Sequence, residues 1–163
     1  YAIQAAKKKG MLVAFNASPI SKEMEGYPLS LVDYYLINEV EGKALSGAAS
    51  SDSLEILKAL GTRFPASAIV LTVGKEGAYY QKNGQREWHG IYDVPVVDTT
   101  AAGDTFCGYF IASIAKGHPV AKALHLASVA SSLAVSKKGA GNSIPTLAEV
   151  IRFEEEWAPH YGS

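Results

Sequence analysis

Short apolar runs alternate with stretches of helical period along most of this chain. Tyr1 to Gly10 is helix-like. Met11 to Phe15 reads as a buried strand that ends in the turn-rich Asn16-Ala17-Ser18-Pro19. Asp33 to Ile37 predicts a second strand, closed by Asn38, and Ala68 to Val73 predicts a third, with Gly74 directly after it. Between them, Ser51-Asp52-Ser53-Leu54-Glu55 predicts a capped helix start, with Leu54, Leu57 and Leu60 on one face and Gly61 as the stop. Short buried strands separated by helices predict a mainly parallel sheet covered on both faces.

The middle departs from that rhythm. Gly77 to Tyr80, Lys82-Asn83-Gly84 and Gln85 to Trp88 predict a β-hairpin, because Asn-Gly suits a tight turn. Tyr92 to Val97 reads as one more apolar strand before the chain turns helical. Phe106, Phe110 and Ile114 then recur every four residues in a helix that Gly117 and Pro119 end. Pro119 also opens the next helix, where Val120, Leu124, Ala127 and Leu133 supply an apolar face. Thr146-Leu147-Ala148-Glu149 is a capping-box start for a last helix. With no repeat, low-complexity tract or long linker, residues 1–163 read as a single α/β domain.

Composition narrows the function classes. The formal charge is −1, so bulk electrostatics favours neither a nucleic acid nor an anionic membrane as partner. Lys7 to Lys9, the basic run, reads as a solvated helix end. No stretch approaches the roughly 20 apolar residues of a membrane span. Cys107 is the single cysteine, placed among aromatic residues as a small buried thiol, and a reducing cytoplasm is the simplest location. His89, His118, His125 and His160 show no metal-ligand spacing; His118 reads as part of a helix-end turn and His125 as a helix-face residue. Trp88 and Trp157 read as packing residues.

Candidate chemistry concentrates in Val96 to Phe106, where the sequence Asp98-Thr99-Thr100-Ala101-Ala102-Gly103-Asp104 runs through small residues straight into an amphipathic helix. Small side chains leave the unpaired N–H groups of a helix start open to an anion, and the helix dipole adds to the attraction. Asp104 could satisfy those N–H groups itself or serve as a general base towards a hydroxyl. Spacing alone does not choose. Three further segments lie in order along the chain. Asn38-Glu39-Val40-Glu41 follows a strand, and on its own suits a helix cap. Thr72-Val73-Gly74-Lys75-Glu76-Gly77 has two glycines three apart, which suits either a phosphate cradle or a plain turn. Ala134 to Pro145 is a glycine-bearing loop between two helices.

These four segments together resemble the ribokinase-like (phosphofructokinase-B-type) sugar kinases, whose signature has Gly at the position of Ala101. The resemblance implies a three-layer α/β/α fold and an ATP-dependent phosphotransferase acting on a sugar hydroxyl, the wording leaning towards the ribokinase branch. It implies Asp104 as catalytic base, with the amides of Ala101, Ala102, Gly103 and Asp104 as an anion hole. Asn38, Thr72, Gly74, Gly77 and Asn142 would contact nucleotide, and Glu41 would order waters around Mg²⁺. A monovalent cation, K⁺, would use Asp98, Thr100, Ala134, Lys137, Gly139 and Ser143, mostly through carbonyls. The resemblance further implies a C-terminal half, with the N-terminal part and β-lid absent and an exposed sheet edge open to a second copy or to the missing N-terminal half. A fructokinase, ketodeoxygluconate kinase or nucleoside kinase is the alternative within the class; a non-catalytic nucleotide-binding or scaffolding fragment is the alternative outside it.

Overall fold

The computed structural model describes residues 1–157, with side chains to Glu156. His160 and the Trp157 side chain, both named above, lie outside the described residues. Where the sequence reads as one domain, the contacts group into two compact units, residues 1–88 and residues from His89 onward.

The first unit begins with α1 (Ala2–Lys8) and holds β1 (Ala14–Asn16), β2 (Tyr34–Asn38), β3 (Ala68–Thr72), β4 (Ala78–Lys82) and most of β5 (Gln85–His89). The five strands pair in chain order; β1, β2 and β3 are parallel, and β4 runs antiparallel to β3. α2 (Glu39–Ser46) and α3 (Ser53–Arg63) pack on each other and on β2 and β3. Tyr35, Ile37, Ile69 and Leu71 alternate along β2 and β3 to meet Ile56, Leu57 and Leu60 in one core cluster. Burying each such side chain contributes about 1.5–3 kcal/mol. The Asn83-Gly84 turn has φ of 51° and 81°, the paired positive values of the expected tight hairpin.

Several expectations change. Met11 and Leu12 are 55% and 68% exposed, because β1 forms only at Ala14–Asn16, where β2 offers backbone partners. Asp52 caps α3 by accepting from the Leu54 and Glu55 amides, as expected. Leu54, however, is exposed; the buried face is Ile56, Leu57 and Leu60. Gly61 does not stop α3. A Cβ there would lie 2.0 Å from Gln81 Nε2, so this glycine admits the β4 side chain that donates to the Leu57 carbonyl. Lys7 is not simply solvated, since its Nζ lies 2.8 Å from both Asp33 oxygens. Trp88 is exposed rather than packed, with its indole N–H donating to the Glu76 carbonyl.

The second unit holds α4 (Ala102–Ala115), α5 (Val120–Val135) and α6 (Leu147–Trp157). Phe106 and Phe110 stack on α4, and α4 packs along α5, where Ser131 Oγ donates to the Ala102 carbonyl. Val150 and Phe153 seat α6 against Leu126, Val129 and Ala130. The Thr146–Glu149 capping box forms. The expected strand Tyr92 to Val97 does not: the segment carries no regular structure, and Val96 and Val97 are exposed. The Val97 and Asp98 amides instead donate to the Val135 carbonyl at the end of α5. Among the described residues no helix is long and apolar enough to cross a membrane.

Candidate functional site

In the first unit the named residues sit at the carboxyl ends of adjacent parallel strands. Asn38 ends β2 and Thr72 ends β3, and the two are register partners. Asn38 and Glu41 form a capping box: Asn38 Oδ1 accepts from the Glu41 amide, and Glu41 Oε2 accepts from the Asn38 amide, both at 3.0 Å. The bland reading of this pair is therefore real, and it leaves Glu41 buried at 7% exposure with Oε2 occupied.

The glycine segment after β3 is a tight turn. Gly74 (φ 52°) and Gly77 (φ 103°) both take left-handed backbone, which is why glycine stands at each. The Glu76 and Gly77 amides donate to the Val73 and Gly74 carbonyls, so these two are turned inward, and a phosphate at this turn would meet its other groups. Thr72 Oγ1 makes a long, 3.4 Å contact to the Ile37 carbonyl.

In the second unit Ala101 is the buried N-cap of α4 and supplies no side-chain cap. The Ala102 amide donates to the Thr99 carbonyl at 3.2 Å, which narrows the expected anion hole. The Gly103 and Asp104 amides have no acceptor among the described residues. Asp104 is exposed, and its carboxylate makes no hydrogen bond among those residues, so it does not cap its own helix. It borders a cleft of about 330 Å³ shared with Thr105, Tyr109, Lys116 and His118, where Thr105 Oγ1 and His118 Nδ1 are buried without partners.

Asp98 joins two loops. Its Oδ1 accepts from the Thr100 hydroxyl (2.6 Å) and amide (3.0 Å), and its Oδ2 accepts from the Gly139 amide (3.0 Å). The Thr100 hydroxyl first, then the two amides, hold this half-exposed carboxyl below the usual range. With three donors taken and about four acceptor positions on a carboxylate, room remains for one cation contact. The Ala134 carbonyl already accepts from the Lys137 amide, and buried Ser143 donates from Oγ to the Ala140 carbonyl. Asn142 is exposed. Among the described residues no group of three or more His, Cys, Asp or Glu side chains gathers for a metal. Any cation here would therefore rest on carbonyls and single carboxylates.

Two residues outside the motifs hold the loop between α5 and α6. Glu149 accepts from Lys137 Nζ (2.7 Å) and from the amide and hydroxyl of Thr146, contacts that pull it down to about 2. Tyr109 donates to the Pro145 carbonyl at 2.7 Å. The sequence signals the cap on α6; the reach of Glu149 to Lys137 has no local signal.

Comparison with known proteins bears on the family and the fold. Residues 1–147 match the model of the pfkB family of carbohydrate kinases. The ribokinase of Schizosaccharomyces pombe is 39% identical over 158 residues, covering 91% of this chain and 48% of that protein. The solved Arabidopsis thaliana ribokinase, complexed with ribose and ATP, superposes with a TM-score of 0.80 at 28% identity, over 92% of this chain and 49% of that one. A structure from E. coli, assigned as a ribokinase II with ATP and Mg²⁺, gives a TM-score of 0.81 at 27% identity, over 95% and 52%. The fold is thus the α/β fold of solved ribokinases, and the chain spans about half the length of the relatives it matches. These shares do not carry the expected assignment to a C-terminal half.

Proposed function

The chain belongs to the pfkB family of carbohydrate kinases, and on that premise we propose that it carries the base and nucleotide contacts of an ATP-dependent sugar kinase. One observation carries this reading: the unbonded carboxylate of Asp104 stands beside open amides at the start of α4. A carboxylate not spent on capping its own helix is free to accept a proton.

Asp104 takes the proton of the acceptor hydroxyl as that oxygen bonds to the γ-phosphorus. The bond from phosphorus to the bridging oxygen breaks, and ADP leaves with the electron pair. The Gly103 and Asp104 amides, at the positive end of the helix dipole, stabilise the charge on the transferring group. In the first unit, Asn38, Thr72, Gly74 and Gly77 would serve the nucleotide phosphates, and the second oxygen of Glu41 would hold a water of Mg²⁺. When bound, Mg²⁺ neutralises phosphate charge. Asn142 would lie beside the base of the nucleotide. K⁺ would sit with Asp98, Thr100, Ala134, Lys137, Gly139 and Ser143. One solved relative holds ribose and ATP and another ATP and Mg²⁺, which supports ATP and Mg²⁺ as the nucleotide and metal here and favours ribose as acceptor.

Asp104→Asn tests the reading, in the chain joined to the complementary segment of a ribokinase relative and assayed for ribose-dependent ADP release. Turnover should fall roughly 10²–10⁴-fold, while ATP affinity measured by calorimetry holds. Undiminished turnover would remove Asp104 from the chemistry.

A further inference from the structure

Apart from these motifs, four titratable side chains form a continuous network within the second unit. Tyr92 Oη lies 2.9 Å from His125 Nδ1 and 3.4 Å from His89 Nε2. His125 Nε2 meets Glu154 Oε1. The two imidazoles touch edge to face at 5.1 Å, and Tyr92 also packs edge-on against Phe153 of α6.

Proton counting gives this network two states. The Tyr92 hydroxyl has one proton and serves one imidazole at a time. With His125 neutral, Tyr92 donates to Nδ1, Nε2–H donates to Glu154, and His89 meets the Tyr92 oxygen only as a donor, through its Nε2–H tautomer. With His125 doubly protonated, both of its nitrogens donate, Tyr92 turns its proton to His89, and the Glu154 contact becomes an ion pair. Such a charge-assisted bond is roughly twice as strong as a neutral one. Burial first, and then the charge of His125, hold His89 below the ordinary imidazole range, which suits it to accept from Tyr92. The other charged residues nearest in sequence on these elements are Asp93, Lys122, Arg152 and Glu155.

The network fixes one end of α6, and the Glu149–Lys137 pair fixes the other. The segment that joins α5 to α6 between these anchors contains Gly139, Asn142 and Ser143. We infer that His125 is a positioning residue for this loop: its protonation tightens α6 on α5 and raises the affinity for nucleotide. The inference rests on the nucleotide reading above. The gain should be larger at about pH 5 than at about pH 8, the range over which histidine is the side chain that ordinarily changes charge.

The test titrates Mg²⁺·ATP calorimetrically into the joined chain used above at the two ends of that range, for wild type, His125→Gln and Tyr92→Phe. Comparing variants cancels the titration of ATP itself. The ratio of affinities, acid over alkaline, should be about 3–10-fold larger for wild type than for His125→Gln, with Tyr92→Phe in between. If His125→Gln does not fold, Glu154→Gln removes the charge partner and should flatten the profile equally. Binding with equal pH slopes in wild type and variants would overturn the coupling alone. No ATP binding at either pH would overturn both the coupling and the kinase reading.

Discussion

Gly42 and Gly108 both lie inside helices, yet the same added methyl group should act in opposite directions at the two. At Gly42, in α2 directly after Glu41, a Cβ would lie 2.9 Å from Ile56 Cγ2, 3.0 Å from Leu71 Cδ1 and 3.4 Å from Leu60 Cδ1. Those neighbours are 1%, 0% and 0% exposed, so none can swing into solvent. Overpacking such a core costs about 1–3 kcal/mol. Replacing Gly by Ala inside a helix returns about 0.5–1 kcal/mol. The net expectation for Gly42→Ala is a loss of roughly 1 kcal/mol. At Gly108, in α4, nothing lies within 4 Å of the added carbon. Only the helix term remains there, so Gly108→Ala should gain about 0.5–1 kcal/mol. Urea unfolding followed by circular dichroism gives the two midpoints, and unchanged slopes would show that stability alone has moved. Because the chain divides into two compact units, amide exchange in α2 and α4 should be read alongside, to assign each shift to its own unit. A Gly42→Ala variant that gains stability as Gly108→Ala does would refute the seating of α2 on Ile56 and Leu71.

Two further outcomes follow from the carboxylates. Burial pushes Asp33 up, but the Lys7 ammonium and the Val13 amide outweigh it and hold the group below its usual value. Its contribution is therefore present above about pH 4 and lost as pH falls through the lower folded value. The urea midpoints of wild type and Asp33→Asn should differ near neutrality and converge in acid; equal midpoints at neutral pH would count against the ion pair. Asp98→Ala removes the acceptor shared by Thr100 and Gly139. Amide exchange at those two positions should quicken by roughly ten-fold with helix content unchanged, and unchanged exchange would mean the bridge does not hold the loops.

What the sequence determined by itself is local chemistry. Asn83-Gly84 makes a hairpin because both residues tolerate positive φ. Asp52, Asn38 and Thr146 start helices because a side-chain oxygen two or three residues before an unpaired amide can satisfy it. The order of four short motifs was enough to indicate the family, since each sits within a few residues of a helix start or a strand end. Tertiary structure decided whatever depends on distant partners. Gly61 looks like a helix stop, but it is there to admit Gln81, twenty positions on. Tyr92 to Val97 has a strand's apolarity without a strand, because a strand needs a neighbouring strand and this segment meets α5 instead, the Tyr92 amide donating to Ser132 Oγ and the Val97 amide to the Val135 carbonyl. Asp98 meets Gly139 across 41 positions, and His125 meets Glu154 across 29. Hydrogen bonds, ion pairs and core contacts act over a few ångströms whatever the separation in sequence. Pattern along the chain therefore fixes turns and caps, and only folding brings those distant groups within range.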